Sequence, residues 1–486
     1  MSNTLYAGAA RKIINPPLGI KRAGIRLFAD PLQAIETDLT ATAVVLSNQA
    51  SKVVIVAVDL PAISLPVSSE IRRLIGEAVG TPTSHVLINI NHTHSGPALP
   101  DFFPDSPEQM RLQQAYQEKL IQWLIKVATE ANQHLQPARI GADWGEAAVG
   151  IYRRETGPDG QDVLGEDPDV PIDSSVGVIR VDDLDGKAIA ILFSSGCHTV
   201  TMGPRASLVS SDFPGPARDL VENAFGGLSI FLQACGGNVN PVHGIGYEVD
   251  CRDTKNRTGL VLGGEVVKTA ANIRTNVRRG SERKPFGAVP NILFWPWEPV
   301  DEDTSTYLGA VDETMQFEFI ELPSLEEAEA IHESWKQKLA DARANDARDW
   351  EITVAARFTD WSAKLVEAVH QGNPPRDVVI QAIRINDIVL AGISVEAFFE
   401  TGLAIKARSP FKHTQVLGFS NGIVTYLPRA EDYPAGGWKV TERYNVPDLF
   451  PQGTSLPVAF RPETEQMVVE RVSGLIKQLN QAFVAQ

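Results

Sequence analysis

The stretch from Val53 to Ile90 constrains the fold more than any other part of the chain. Residues 53–60 read VVIVAVDL, a continuous β-branched run of a length that predicts a buried strand. SSEIRRLIGEAVG, which begins at Ser68, has helical spacing and a serine at its start, and residues 85–90 then predict the next strand. A β-α-β unit of this kind indicates an α/β layer in which helices cover a sheet.

The rest of the chain predicts more elements of the same α/β class. We expect a long amphipathic helix over residues 108–134, a hairpin over 176–193 and a second hairpin over 378–393. We therefore predict mixed β-sheets flanked by helices.

The chain shows no repeats and no low-complexity linker, so we predict a single domain spanning residues 1–486. A Ser-x-x-Glu capping box at Ser324 opens a charged helical pattern, and residues 324–372 are predicted to be a helical insertion on the surface. Residues 280–300 are rich in glycine, proline and tryptophan and predict an irregular but structured connection.

Charge and composition exclude several classes of function. The formal net charge of −16 argues against nucleic acid and against an anionic membrane surface, since both demand a basic face. No window approaches the roughly 20 apolar residues that cross a bilayer, so we expect no stable membrane insertion. An N-terminus without an apolar signal segment, and three cysteines without a CxxC spacing, predict a cytoplasmic protein with reduced thiols. The expected partner is a small-molecule substrate, and the sequence leaves homo-oligomerisation open.

Two of the nine histidines stand where a predicted strand ends. Residues 90–97 read INHTHSGP, and His92 and His94 are alternate residues within them. Alternate side chains of an extended segment point to the same side, so both imidazoles can converge on one target. A metal ion would explain this placement, and a packed core would not.

Two more candidate ligands follow apolar strand patterns. His198 lies in FSSGCHTVTMGP, and Glu396 lies in LAGISVEAFFETG just before a helical pattern. Each has an ordinary alternative, since a lone histidine is often structural and a helix N-terminus favours a carboxylate. Three histidines at the ends of two strands nevertheless favour zinc, because a catalytic zinc needs about three protein ligands plus water.

Five motifs together resemble the neutral/alkaline (non-lysosomal) ceramidase family. They are NHTHSGP, GCHTVTMGP, CGGNVNP, SVEAFFETG and FSNGIVTYLPRAEDY, and the resemblance runs in order from about residue 5 to 485. Enzymes of this family are zinc amidohydrolases that cut ceramide into a fatty acid and sphingosine. The resemblance implies a ceramidase-like catalytic domain and a zinc-dependent hydrolase, as a divergent bacterial-type member.

The resemblance also implies which residues carry the chemistry. The zinc ligands fall on His92, His198, Glu396 and Tyr426, and His94 is implied to bind or polarise the scissile carbonyl.

A catalytic arginine is implied by the segment GIYRRE. Arg153 matches an arginine of the family, although Tyr152 replaces the asparagine that precedes it there. The alternative for Arg153 and Arg154 is a solvated pair on the surface.

The hexapeptide GNVNPV departs from the family pattern. A family serine once considered a nucleophile is Asn240 here, and an amide cannot act as a nucleophile of that kind. The attacking group must then be a zinc-activated water, whose pKa zinc can lower to about 7. Asn238 and Asn240 are expected to hydrogen-bond the substrate, with turn formation as the alternative.

Two further departures bear on the substrate. A family tyrosine twelve positions after the ligand tyrosine is Trp438 here, which can shape a pocket but cannot transfer a proton; Tyr433 and Tyr444 are nearby candidates for compensation. We also expect that the family's C-terminal immunoglobulin-like domain is absent. We therefore expect an N-acyl substrate that is ceramide-like or smaller and more polar.

The sequence leaves several different functions open. The GFSNG pattern around Ser420 matches a nucleophile elbow, but the last histidine, His413, precedes it, so the usual chain order of a triad cannot be completed. Cys197 beside His198 is a weak cysteine hydrolase pattern, because neighbours in a strand point to opposite faces. The chain could also be a zinc hydrolase of an ester, lactone or glycosidic bond, or a non-catalytic metal- or ligand-binding relative.

Overall fold

Strands and helices alternate along the chain in an α/β pattern. The computed structural model describes residues 4–24, 30–101, 106–158, 160, 162–203, 206–245, 251–300, 306–434 and 456–484. The helices in these ranges are α1 (Leu65–Val79), α2 (Pro107–Gln133), α3 (Pro214–Phe225), α4 (Arg252–Asn272), α5 (Leu325–Ala344), α6 (Asp349–Gln371), α7 (Phe399–Arg408) and α8 (Thr464–Val484), with short 3-10 turns at Thr83–His85 and Ala430–Asp432.

The strands in the same ranges are mostly short. In chain order they are β1 (Tyr6–Ile13), β2 (Ala34–Ile35), β3 (Thr40–Ser47), β4 (Lys52–Val58), β5 (Val86–Ile90), β6 (Gln136–Glu146), β7 (Gly150–Thr156), β8 (Asp162–Asp167), β9 (Ser175–Asp183), β10 (Ala188–Ser195), β11 (Leu208–Val209), β12 (Leu228–Gln233), β13 (Val239–Pro241), β14 (Val277–Arg279), β15 (Lys284–Phe286), β16 (Val289–Phe294), β17 (Trp297–Pro299), β18 (Leu308–Phe317), β19 (Arg376–Ile385), β20 (Ile388–Ile393), β21 (Glu396–Ala397), β22 (His413–Leu417) and β23 (Tyr426–Leu427).

The largest sheet has eight strands and is mixed. Its strand order is β12-β10-β9-β6-β1-β3-β4-β5. β4 pairs with β5 and β10 pairs with β12 in parallel, and the other neighbours are antiparallel. Because α1 connects the parallel strands β4 and β5, the predicted β-α-β unit is confirmed.

A four-stranded sheet, β18-β19-β20-β22, packs against one face of the large sheet. Alternate residues of β4 show this packing. Ile55 lies in a core with Ile383 and Leu390 of the small sheet, whereas Val54 packs on the opposite face with residues of α1 and α2. Since both faces of β4 are buried, its sequence is continuously apolar, as in strands covered on both sides.

Helices cover the outer faces of both sheets. Residues of α1 and α2 share one core with the large sheet, and those of α3 and α4 share another at its other end. Helices α5 to α8 contribute to the core on the outer face of the small sheet. The resulting layers are helix, sheet, sheet and helix, so the prediction of mixed sheets flanked by helices is confirmed.

The structure refines two helix boundaries. α1 begins one turn before Ser68, because Ser64 accepts a hydrogen bond from the backbone N–H of Val67 and caps the helix. The segment predicted as a helical insertion forms two helices, α5 and α6, since the chain turns between them at Asp346, whose φ is 51°. Trp361 of α6 is buried, so this segment is not confined to the surface.

None of the described helices is both long and apolar enough to span a bilayer. A cytoplasmic location stays a prediction.

A buried ion pair ties the end of β4 to α3. The Asp59 carboxylate accepts two hydrogen bonds from the Arg218 guanidinium, at 2.9 and 2.8 Å. It also accepts from Thr40 and from the side-chain amide of Asn91, at 2.8 Å in each case, so the carboxylate holds β3 and the loop after β5 together. Asn91 directly precedes His92, so this network supports the loop that carries the histidines.

Arg218→Met is expected to lower the free energy of unfolding by about 3–5 kcal/mol, because it leaves the Asp59 charge buried without its cation. The measurement is a urea titration followed by circular dichroism. Arg257→Met is the control, since Arg257 pairs with Asp253 on the exposed side of α4 and should leave the midpoint unchanged. Equal midpoints for the two variants would show that Asp59 is satisfied without Arg218.

Candidate metal centre

The large sheet curls until its two edge strands approach each other. The side-chain amide of Asn89, in β5, donates to the backbone oxygen of Gln233, in β12, at 3.2 Å, and its oxygen accepts from the Gln233 N–H at 2.7 Å. This contact brings the loop after β5 close to the loop after β10, the neighbour of β12. The two loops carry His92 and His198.

The two strand-end histidines are both fully buried, and a backbone carbonyl orients each of them. His92 Nδ1 lies 2.6 Å from the Pro61 oxygen, and His198 Nδ1 lies 2.9 Å from the Gly236 oxygen. A carbonyl oxygen only accepts, so each Nδ1 carries the proton and each Nε2 keeps a lone pair. Burial lowers the pKa of His92 to about 3, which keeps this imidazole neutral and able to bind a metal ion.

His92 itself adopts a backbone conformation that is rare for a residue with a side chain. Its φ is 64°, in the left-handed region. Conformations of this kind cost on the order of 1–3 kcal/mol and persist where the surroundings impose them, often at functional sites.

Glu396 lies between the two histidines. Its Oε2 is 3.6 Å from the Nε2 of both His92 and His198, and its side chain is fully buried. By strict distance and angle neither carboxylate oxygen has a hydrogen-bond partner among the described residues, although the Tyr426 hydroxyl interacts with the carboxylate. Ligand atoms around a tetrahedral zinc stand roughly 3.4 Å apart, given metal–ligand bonds of about 2.0–2.2 Å. These three side chains therefore fit a metal ion, which would satisfy a carboxylate that is otherwise buried at a cost.

Tyr426 completes the set predicted from the sequence. The short strands β21 and β23 are parallel and place Glu396 opposite Tyr426. The Tyr426 hydroxyl lies 3.5 Å from His198 Nε2 and accepts a hydrogen bond from Arg153 at 3.1 Å. Burial, the negative charge of Glu396 and the contact of the hydroxyl with that carboxylate raise the pKa of Tyr426 well above its usual value, so the hydroxyl is protonated.

Arg153, on β7, points into the same cluster. Its guanidinium donates to the Gly237 oxygen and, at 3.0 Å, to the Asn240 side-chain oxygen, and it lies 3.2 Å from His198 Nε2. Arg154 forms an ion pair with Asp162 at 2.6 Å. Both arginines are buried, so the alternative of a solvated surface pair is wrong.

His94 stands beside His92. The two Nε2 atoms are 3.1 Å apart, and His94 Nδ1 is buried without a hydrogen-bond partner among the described residues. Burial lowers the pKa of His94 well below its usual value. His92, His94 and His198 offer ligand nitrogens within 4.8 Å of one another, so the three histidines can hold a metal ion. Two overlapping ligand sets therefore exist, one with His94 and one with Glu396 and Tyr426.

The two asparagines predicted to contact substrate make hydrogen bonds within the protein. Asn238 accepts from the Phe399 N–H at 3.0 Å and donates to Glu400 at 2.8 Å, at the start of α7. Asn240 bonds Arg153 and thereby helps to fix the guanidinium. Trp438 and Tyr444 lie outside the described residues, and the buried Tyr433 donates to the Phe460 oxygen at 3.0 Å.

Several groups that shape the site were not predicted. The carbonyl oxygens of Pro61, Gly236 and Gly237 leave no mark of their own on a sequence. Gly196 and Gly236 give an indirect signal, because a Cβ on Gly236 would overlap the Gly196 oxygen. Close approach of two backbones requires glycine there.

Ser420 and Cys197, the two alternative nucleophiles, are buried in the core and hydrogen-bonded there. Ser420 accepts from the Asn89 amide and donates to the Gly418 oxygen, both at 3.1 Å. Cys197 is buried, donates weakly to the Val149 oxygen at 3.5 Å, and has its thiol pKa raised well above the usual value by that burial. A buried thiol of this kind is inert.

Comparison with known proteins agrees with this architecture. The crystal structure of neutral ceramidase from Pseudomonas aeruginosa superposes with a TM-score of 0.68 at 17% identity, over 98% of this chain and 75% of that chain. The chain has the neutral ceramidase fold. A structure of ceramidase complexed with C2 superposes with a TM-score of 0.66 at 17% identity, over 99% of this chain and 76% of that one.

The sequence similarity to a neutral ceramidase covers less of the chain. Neutral ceramidase A from Dictyostelium discoideum is 22% identical over 218 residues, which is 41% of this chain and 30% of that protein. No protein-family model matches the chain. The resemblance predicted from the motifs is thus confirmed, at the distance of a divergent relative.

Proposed function

We propose that this chain is a zinc-dependent hydrolase that cleaves the amide bond of an N-acyl substrate, with the metal held by His92, His198, Glu396 and Tyr426. The observation that carries the proposal is the buried carboxylate of Glu396, which makes no well-formed hydrogen bond with a described residue and lies 3.6 Å from the Nε2 atoms of both His92 and His198. The similarity to neutral ceramidases in fold and sequence supports the amide as the bond that is cleaved.

A mixed set of imidazole and oxygen ligands suits zinc. A bound zinc ion would act as a Lewis acid toward the acyl oxygen and would lower the pKa of a water to about 7. An attacking water fits this chain, because Asn240 occupies the position of the family serine and its side-chain oxygen accepts from Arg153.

The chain's own residues prepare the site for negative charge on the acyl oxygen. Arg153 carries a permanent positive charge, and its bonds to Gly237 and Asn240 fix the guanidinium before substrate arrives. His94 contributes a neutral imidazole, whose single ring N–H can turn to a substrate oxygen when a metal ion on His92 Nε2 replaces the contact with His94 Nε2. Fixed donors of this kind stabilise an oxyanion without reorganisation.

Metal analysis by mass spectrometry, together with hydrolysis assays, tests the proposal. We expect about one zinc per chain, and turnover of a short N-acyl substrate that stops on chelation and returns with zinc. His92→Ala and His198→Ala should each lose the metal and at least about 10³-fold in turnover. Ser420→Ala is the control and should keep both.

The remaining outcomes contradict different parts of the proposal. A protein that binds zinc but cleaves only esters, lactones or glycosides would support the proposed metal site and contradict the proposed amide bond. A protein that neither contains nor takes up a metal ion would overturn the site itself.

A further inference from the structure

Residues 277–299 form an arm built from two short antiparallel ribbons, which we call the aromatic arm. β14 pairs with β17 near the base, and β15 pairs with β16 at the tip. The backbone N–H of Val300 bonds the Asn276 oxygen and closes the base, and Gly280 bonds the Pro296 oxygen between the two ribbons. The segment predicted as an irregular connection is therefore regular in part.

The arm exposes an unusual amount of apolar side chain. Phe286, Phe294 and Trp297 are 66%, 57% and 54% exposed. Val289, Ile292, Leu293 and Trp295 are also exposed, so the arm holds every strongly exposed phenylalanine and tryptophan whose burial the structure describes. Exposed apolar side chains concentrated in one short segment of a folded protein indicate an interaction site.

The arm is basic in an acidic protein. Residues 277–299 carry four basic and two acidic residues: Arg278, Arg279, Arg283, Lys284, Glu282 and Glu298. In the sequence, Arg274 lies just before the arm, and Asp301, Glu302 and Asp303 follow it. Arg274 lies over the Trp297 ring at 4.3 Å, and Arg279 and Arg283 lie over the Trp295 ring at 4.8 and 5.6 Å. Cations and aromatic rings thus share one exposed surface, whereas the chain as a whole has a net charge of −16.

We propose that the aromatic arm docks the protein on an anionic lipid surface. Tryptophan and phenylalanine favour the boundary between headgroups and acyl chains, and arginines beside them attract anionic headgroups. The net charge argues against such a surface only if the charge is spread evenly, and here residues 277–299 have a net charge of the opposite sign, with four basic and two acidic residues. The anionic lipid surface would repel the acidic remainder of the protein. The arm would therefore also set the orientation of the protein on the lipid surface.

The exposure of the arm on both faces favours lipid over a second copy of the chain. Residues 289–294 are all exposed, although successive side chains of a strand point to opposite faces. A protein surface covers one face of a ribbon, whereas the interfacial layer of a bilayer surrounds an inserted ribbon on both. This inference is independent of the metal centre and of hydrolysis.

Co-sedimentation with vesicles tests the proposal on the full chain. Vesicles of phosphatidylcholine with phosphatidylglycerol should pellet the protein, and vesicles of phosphatidylcholine alone should pellet it much less. Arg278→Gln with Arg283→Gln should weaken binding at least about tenfold, since each basic residue near an anionic surface contributes about fivefold. Phe294→Ser with Trp297→Ser should weaken it by a similar factor through lost apolar burial.

Matched variants elsewhere on the surface serve as controls. Arg343→Gln with Arg408→Gln removes two exposed charges from α5 and α7, and Leu260→Ser with Val261→Ser removes two exposed apolar side chains from α4. Both controls should bind mixed vesicles as the wild type does. Circular dichroism confirms that all variants are folded.

Two kinds of result would overturn the proposal. One is a failure in the vesicle assay, either a wild-type protein that does not pellet with the mixed vesicles or arm variants that pellet as well as the controls. The other is a wild-type dimer in solution that ignores vesicles and dissociates in Phe294→Ser with Trp297→Ser, which would assign the arm to a second copy of the chain.

Discussion

Glu396→Gln is expected to abolish metal binding and turnover while making the metal-free protein more stable. The carboxylate lies 3.6 Å from two imidazole nitrogens and makes no well-formed hydrogen bond with a described residue. Loss of this ligand should weaken metal binding at least about 10²-fold and turnover at least about 10³-fold. Removal of a buried charge should raise the stability of the metal-free protein by on the order of 1 kcal/mol.

Glu396→Gln is informative because it is expected to lower metal affinity and to raise the stability of the metal-free protein. A structural carboxylate would give a less stable protein when it is neutralised, because its hydrogen bonds would be lost. A carboxylate kept for a metal ion destabilises the protein until the metal is bound, so function is retained at the expense of stability. Thermal unfolding of both proteins, with chelator and with zinc, separates these cases.

Zinc is expected to raise the melting temperature of wild type and to leave that of Glu396→Gln unchanged. In chelator, Glu396→Gln is expected to melt at a higher temperature than wild type. Glu400→Gln is a suitable control, because Glu400 accepts from Asn238 at the start of α7 and is not a proposed ligand. A wild type whose melting temperature does not respond to zinc, or a Glu396→Gln protein that still responds, would contradict the assignment.

Local sequence patterns predicted the parts of the fold that local physics determines. The apolar run of β4, the helix after it and the strand β5 follow from side-chain period and length alone. The strand ends that carry His92 and His198 could be located in the same way. The position of Glu396 between them could not, because it depends on β21 and β23, which are two residues long.

Contacts over long sequence distances explain what the sequence left open. The large sheet curls through the bond between Asn89 and Gln233, two polar residues inside strands whose meeting no pattern indicates. The ion pair of Asp59 and Arg218 joins residues 159 positions apart. The left-handed backbone of His92 results from these surroundings and not from the residue itself.

Asn240 shows how a departure from a family pattern can be absorbed. The sequence alone indicates the loss of a hydroxyl. In the structure, the amide oxygen of Asn240 accepts a hydrogen bond from Arg153 at 3.0 Å, and Arg153 in turn bonds the Tyr426 hydroxyl at 3.1 Å. The residue is therefore connected through Arg153 to the proposed metal ligand Tyr426, and we propose that it positions the arginine.

The two histidines of INHTHSGP are expected to differ sharply when each is changed. His94→Ala should keep about one zinc per chain and lose about 10²–10³-fold in kcat, because His94 is proposed to hydrogen-bond the acyl oxygen and not the metal. His92→Ala should lose the metal itself. Metal content and kcat measured on the same preparations separate the two roles.

This comparison also decides between the two ligand sets. Three histidine nitrogens within 4.8 Å of one another could hold the ion without Glu396, and His94→Ala would then lose the metal as fully as His92→Ala does. Retention of zinc in His94→Ala together with its loss in Glu396→Gln would assign the ion to His92, His198 and the carboxylate between them. Because His92 and His94 lie on one loop, two residues apart, a general disturbance of that loop would affect both variants alike and cannot produce the expected split.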